Sequence, residues 1–85
     1  MENKEIEQAF NYFKTKKYNA AKDKLNKLIE KFPDNHSLYN LLGAVLIGQK
    51  KFDEAVVSLK KSIQVNPIYA QGYNNLSIVK DDLYL

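Results

Sequence analysis

Apolar side chains recur at steps of three and four along most of the chain, the period of one face of an α-helix. Ile6, Ala9, Phe10, Tyr12 and Phe13 mark a first helix over about residues 3–15. Glu2, Glu5 and Glu7 crowd its first turns and Lys14, Lys16 and Lys17 close it, the distribution that complements the helix dipole. A second helix starts near Tyr18 and carries Ala21, Leu25, Leu28, Ile29 and Phe32. Pro33 ends it, because proline has no amide donor and disfavours helical geometry in the residue before it.

The stretch Asp34, Asn35, His36, Ser37 supplies N-cap candidates for a third helix over about residues 37–47. Leu38, Leu41, Leu42, Ala44, Val45, Leu46 and Ile47 make that helix apolar nearly all round, so it must be covered on more than one side. It is the expected centre of the domain, and Gly48 is expected to stop it. A fourth helix begins at Phe52, has Asp53 and Glu54 in its first turn, and turns Ala55, Val56, Leu59, Ile63 and Val65 to the core. Lys60 and Lys61 come late in it, and Pro67 closes it. A fifth helix is expected over residues 68–82, with Tyr73, Leu76, Ile78 and Val79 as its apolar positions.

These elements repeat. Tyr18 and Phe52, Ala21 and Ala55, Leu25 and Leu59, Ile29 and Ile63, and Pro33 and Pro67 all stand 34 residues apart. The same step carries Tyr39 to Tyr73, Asn40 to Asn74 and Leu42 to Leu76, and it aligns the small residues Ala9, Gly43 and Ser77. Self-similarity at this period signals stacked helical hairpins. A plain antiparallel bundle of four or five helices would have no reason to repeat alanine and proline at a fixed step.

At these positions the chain resembles the tetratricopeptide repeat family. The family pattern has an early aromatic, Leu-Gly, an aromatic before the second helix, an alanine three residues on and a closing proline. The middle repeat matches it through Tyr39, Leu42, Gly43, Phe52, Ala55, Leu59 and Pro67. The first repeat keeps Tyr12, Tyr18, Ala21 and Pro33 but has Glu5 and Gln8 where the aromatic and the leucine belong, which suits a terminal repeat facing water.

The resemblance implies an all-α solenoid of about two and a half hairpins, five helices in a single domain over residues 1–85. Repeat one would span residues 2–35, repeat two 36–69, and a half repeat or capping helix 70–85. Gly43 and Ala55 would let the helices of a hairpin approach closely, and Leu42, Leu59 and Ile63 would fill the space between successive hairpins.

The resemblance also implies a concave surface, lined by the first helix of each hairpin, that binds a peptide or protein segment. Matching positions are Asn3, Ile6, Phe10 and Phe13 in the first repeat and Asn40, Leu41, Ala44 and Ile47 in the second. The third adds Asn74, Asn75, Ile78 and Asp81. Such a groove is apolar with a strip of asparagines, whose amides bond a peptide backbone without requiring a particular side chain. Phe10 and Phe13 also have a plainer reading, as aromatics packed on the neighbouring helix.

One subclass of the family grips the acidic C-terminal tails of chaperones through a clamp of lysine, asparagine and arginine. The matching positions here hold Ile6, Phe10, Ala44, Asn74 and Ile78, so that ligand is not expected. The asparagine ladder of a second subclass is matched strictly by Asn75 alone, with Glu7 and Leu41 at its equivalents.

With Leu85 as its last residue, the third unit stops where its second helix should begin. Ile78, Val79, Leu83, Tyr84 and Leu85 would then lack the helix that normally covers them, and bare apolar patches mark interfaces. Two explanations stand: a fragment of a longer array, or a two-fold homodimer that buries this face.

Composition narrows the remaining choices. The net charge of +3 comes from 13 lysines, with no arginine, against 10 acidic residues interspersed among them. Phosphate and base readers lean on arginine's planar fork, so nucleic acid is not an expected partner. The absence of cysteine removes disulfides and thiolate metal sites, and His36 reads as a solvated loop residue rather than a ligand. No metal or cofactor is expected. Asp81 and Asp82 are the one adjacent acidic pair near the groove, with no histidine, cysteine or glycine-rich loop beside them, so an enzyme is not expected. The apolar runs are too short to span a membrane and the polar start resembles no signal peptide, which makes a cytoplasmic protein the default expectation. The expected function is a protein-protein interaction module in a scaffold or adaptor role, with a self-associating fragment as the alternative.

Overall fold

The computed structural model describes residues 2–67, with the side chains of residues 4–67. Four helices fill this span: α1 (Glu2–Lys14), α2 (Tyr18–Lys31), α3 (His36–Gly48) and α4 (Phe52–Val65). The described residues contain no strand. They form two consecutive helical hairpins, as the repeat predicts. The fifth helix and the half repeat over residues 70–85 lie outside the described residues.

The two hairpin turns are built alike. Thr15 caps α1 and Gln49 caps α3, and the next residue in each case, Lys16 and Lys50, has a left-handed φ of 61°. The Lys16 amide donates to the Phe13 carbonyl and the Lys17 amide to Tyr12; Lys50 and Lys51 repeat this with Ile47 and Leu46. This pair of bonds satisfies carbonyls that the helix end would otherwise leave unpaired. Gly48, the expected stop, is the last residue of α3, and the chain reverses two residues later at Lys50. At the other end of α3, Asn35 is the cap: its side-chain oxygen accepts from the Ser37 amide at 3.0 Å.

Adjacent helices are antiparallel. The Ser58 hydroxyl donates to the Tyr39 carbonyl at 2.7 Å and the Ser62 hydroxyl to the His36 carbonyl at 2.9 Å, so α4 runs back along α3. The start of α2 meets the end of α3, where Gln49 donates to the Asn19 side chain at 2.9 Å. Glu5 and Lys24 join α1 to α2 at 3.5 Å, a partly exposed surface pair worth about 1 kcal/mol or less. The backbone of α1 comes close to that of α3, whereas the backbones of α2 and α4 stay further apart. A furrow opens between α2 and α4.

The core forms two linked clusters. Ala9, Ala21, Leu25, Leu28, Leu38 and Val45 make the first, and Leu46, Ala55 and Leu59 the second. Leu42 packs on both, which gives α3 the central place its all-round apolar pattern predicts.

Two expectations need correcting. The buried face of α4 is Ala55, Ser58, Leu59 and Ser62; Val56 packs half-buried on the second cluster as expected, but Ile63 and Val65 are only half-buried, and Val57 is 71% exposed. The face is rotated because the two serines spend their hydroxyls on α3 carbonyls and so tolerate burial. Within its own hairpin Leu59 lies against Gly43: a Cβ built on Gly43 would come within 2.6 Å of Leu59 Cγ. His36 is not a solvated loop residue either. It opens α3, is half-buried, and its Nδ1 lies 3.5 Å from the Asn66 amide nitrogen.

Candidate functional site

Of the groove positions selected by the repeat register, Ile6, Phe10 and Phe13 belong to α1 and Leu41, Ala44 and Ile47 to α3. Ile6, Phe13 and Leu41 are half-buried against the first core cluster, and Ile47 against the second. Ala44 is half-buried as well. Phe10 differs from these: it is 44% exposed. Its ring centroid stands 6.2 Å from that of Phe13, which in turn stands 6.2 Å from Tyr18, so the three rings form a tilted row leading from solvent to the α1–α2 turn. Lys14 Nζ lies 5.1 Å from the Phe10 ring centroid, placing a cation at the rim of this face.

The alternatives for the two phenylalanines thus divide between them: Phe13 packs on the core and Phe10 remains available. Asn40 departs from a solvated amide strip. It is only 6% exposed, so it offers little surface to a peptide. The backbone of Asn3 belongs to α1, but its side chain lies outside the described residues. Asn74, Asn75, Ile78 and Asp81, and the self-association set Ile78, Val79, Leu83, Tyr84 and Leu85, also lie outside them.

The opposite side carries a feature that the periodicity did not announce. An open furrow of about 540 Å³ runs between α2 and α4 with α3 as its floor. Leu42, Leu46 and Ile29 form its apolar bed, and Val57 stands on its α4 wall. Lys22 and Asn26 line the α2 wall; Glu54, Ser58 and Lys61 complete the α4 wall. The available signal was Val57 itself, an apolar residue between Glu54 and Lys61 on the polar face of α4. Among the described residues, no group of three or more acids or histidines is placed to hold a metal ion, and no helix is long and apolar enough to cross a membrane.

Two family models described as tetratricopeptide repeat match the chain, one over residues 7–35 and one over residues 36–69. The chain is 36% identical over 61 residues, 72% of its length, to Protein STIP1 homolog of Dictyostelium discoideum. It is 34% identical over 65 residues, 75% of its length, to Heat shock protein STI1 of Saccharomyces cerevisiae. The match spans 11% of the length of each of these relatives. Two abutting family matches, each falling on one helical hairpin with the same left-handed turn, place this chain in the tetratricopeptide repeat family.

Proposed function

We propose that this chain is a protein-protein interaction module, in a scaffold or adaptor role, that holds an extended segment of a partner along its α1/α3 face. Residues 2–35 and 36–69 act as its two repeats and residues 70–85 as a half repeat beside them. The observation that carries the reading is Phe10. A large aromatic left 44% exposed next to half-buried Ile6 and Phe13 is covered at a gain when an apolar side chain docks on it. That gain is about 25 cal/mol per Å² of apolar surface removed from water. Membership of a repeat family and kinship with relatives such as Heat shock protein STI1 support a protein as the partner.

The chemistry of the face favours an apolar segment over a run of carboxylates. Of the positions that match the family's acidic-tail clamp, the described ones hold Ile6, Phe10 and Ala44, none of which pairs with a negative charge. Lys14 adds one cation at the edge.

Selection from a displayed peptide library tests this reading. Peptides enriched on the wild-type chain should be apolar-rich and should be lost on a Phe10→Lys variant that keeps its helical circular dichroism. Enriched peptides that bind both proteins equally would remove the α1/α3 face as the site.

A further inference from the structure

From the furrow between α2 and α4 we infer a second docking surface, which takes an amphipathic acidic segment of a protein partner. An apolar side chain of that segment lies on Ile29, Leu42 and Val57, and a carboxylate beside it pairs with Lys61.

The shape argues for a segment rather than a small molecule. A volume of about 540 Å³ is ample, but small ligands are held by sites that bury most of their surface, and this one is open along its length between two helices. A side chain inserted from a chain lying across the furrow needs no such enclosure. Val57 is the wall residue that such a side chain would cover, and at 71% exposure it has the most apolar surface to lose.

Charge decides the character of the partner. Helices α2 and α4 are one repeat step apart and run parallel, so Lys22 and Glu54 flank the same end of the furrow and offset each other. Lys61 comes seven residues after Glu54, about 10 Å further along α4. Its Nζ rests 6.0 Å from the Tyr39 ring centroid, and among the described residues it has no carboxylate within ion-pair distance. One end of the furrow is thus close to neutral and the other positive over an apolar bed. An acid next to an apolar side chain fits that pattern, whereas a basic segment would meet Lys61 without compensation.

The test uses the whole 85-residue chain, isotope-labelled for NMR, and two synthetic twelve-residue peptides with identical leucine spacing. One carries glutamates between the leucines and the other lysines. The glutamate peptide should shift the amides of Asn26, Val57, Ser58 and Lys61 and bind about tenfold tighter than the lysine peptide, a ratio that exposed ion pairs and their repulsive counterparts can supply. Lys61→Glu, at an exposed position, should reverse that order. Val57→Glu should weaken the glutamate peptide at least tenfold without moving the thermal midpoint. The proposal is overturned if neither peptide binds at millimolar concentration, if both bind equally, or if Lys61→Glu leaves the ratio unchanged. Shifts confined to Phe10, Ala44 and Ile47 would overturn it too, while leaving the α1/α3 reading intact.

Discussion

Lys16 and Lys50 stand one repeat step apart, and each holds its backbone at a φ of 61°. The left-handed region costs an L-residue with a Cβ about 1–2 kcal/mol, a cost that glycine escapes. Glycine gives back part of the gain, about 0.4–1 kcal/mol, through its greater freedom in the unfolded chain. Lys50→Gly is therefore expected to stabilise the fold by about 0.5–1 kcal/mol, and Lys16→Gly by a similar amount. The capping bonds of the two turns share no partner, so the gains should add. Urea unfolding should show higher midpoints with unchanged slopes. Alanine at either site keeps the strain and should bring no such rise.

Gly43 and Gly48 both lie in α3, and the structure expects opposite results from changing them to alanine. At Gly43 the new methyl would meet Leu59, which is fully buried and cannot swing away. Overpacking costs about 1–3 kcal/mol, against about 1 kcal/mol gained in helix propensity. Gly43→Ala should be net destabilising by about 1–2 kcal/mol, and a second change, Leu59→Val, should recover part of the loss. At Gly48 the obstacle is the outer edge of the half-buried Tyr18 ring, 2.6 Å from the built Cβ, which has room to tilt. Gly48→Ala should stay within about 0.5 kcal/mol of wild type. Paired thermal melts at matched concentration separate the two cases, and an equal loss at both sites would contradict the argument.

The same residues show what the sequence discloses and what it hides. Apolar spacing and the two prolines located α1 to α4 within a residue or two, because helix period and proline stereochemistry are local. Tandem Ala21 and Ala55 exposed the stacking for the same reason. Gly48 marks where the turn over residues 48–51 begins, but nothing in a pair of lysines declares that Lys50 takes the left-handed conformation. Ser58 and Ser62 read as polar-face residues until their acceptors on α3 are known, and those acceptors are set by tertiary packing alone. Of the candidate site, Phe10 and its neighbours follow from repeat register, whereas the α2/α4 furrow arises between helices whose backbones stay further apart. No local pattern encodes a gap.

Ser62 is fully buried, and its hydroxyl is 2.9 Å from the His36 carbonyl. Ser62→Ala removes that bond but leaves a carbonyl that still has its helical geometry, so the expected loss is about 1 kcal/mol. Ser62→Val keeps the burial and adds a methyl to a filled site, and should cost more, about 2 kcal/mol. The order alanine then valine in denaturant midpoints tests whether hydrogen bonding or close packing governs this contact. A valine variant as stable as wild type would show that the site has unfilled room and that the hydroxyl contributes little.

Phe10 and Phe13 sit one turn apart on α1, and their roles should separate under substitution. Phe13 packs on the first core cluster, so Phe13→Ala should cost about 2–3 kcal/mol, short of the full loss for a completely buried ring. Phe10 is 44% exposed, with its ring centroid 6.2 Å from that of Phe13 and 5.1 Å from the Lys14 ammonium. Removing it gives up a partly covered surface and an exposed cation–π contact worth about 0.5–1 kcal/mol, so Phe10→Ala should cost no more than about 1 kcal/mol. On the docking role proposed above, the effect of Phe10 falls on binding rather than on folding. For peptides selected on the wild-type chain, Phe10→Ala should raise Kd by tenfold or more while the melting curve barely moves. If both phenylalanines instead lower stability alike and leave Kd unchanged, Phe10 belongs to the core and the α1/α3 face is not where a partner docks.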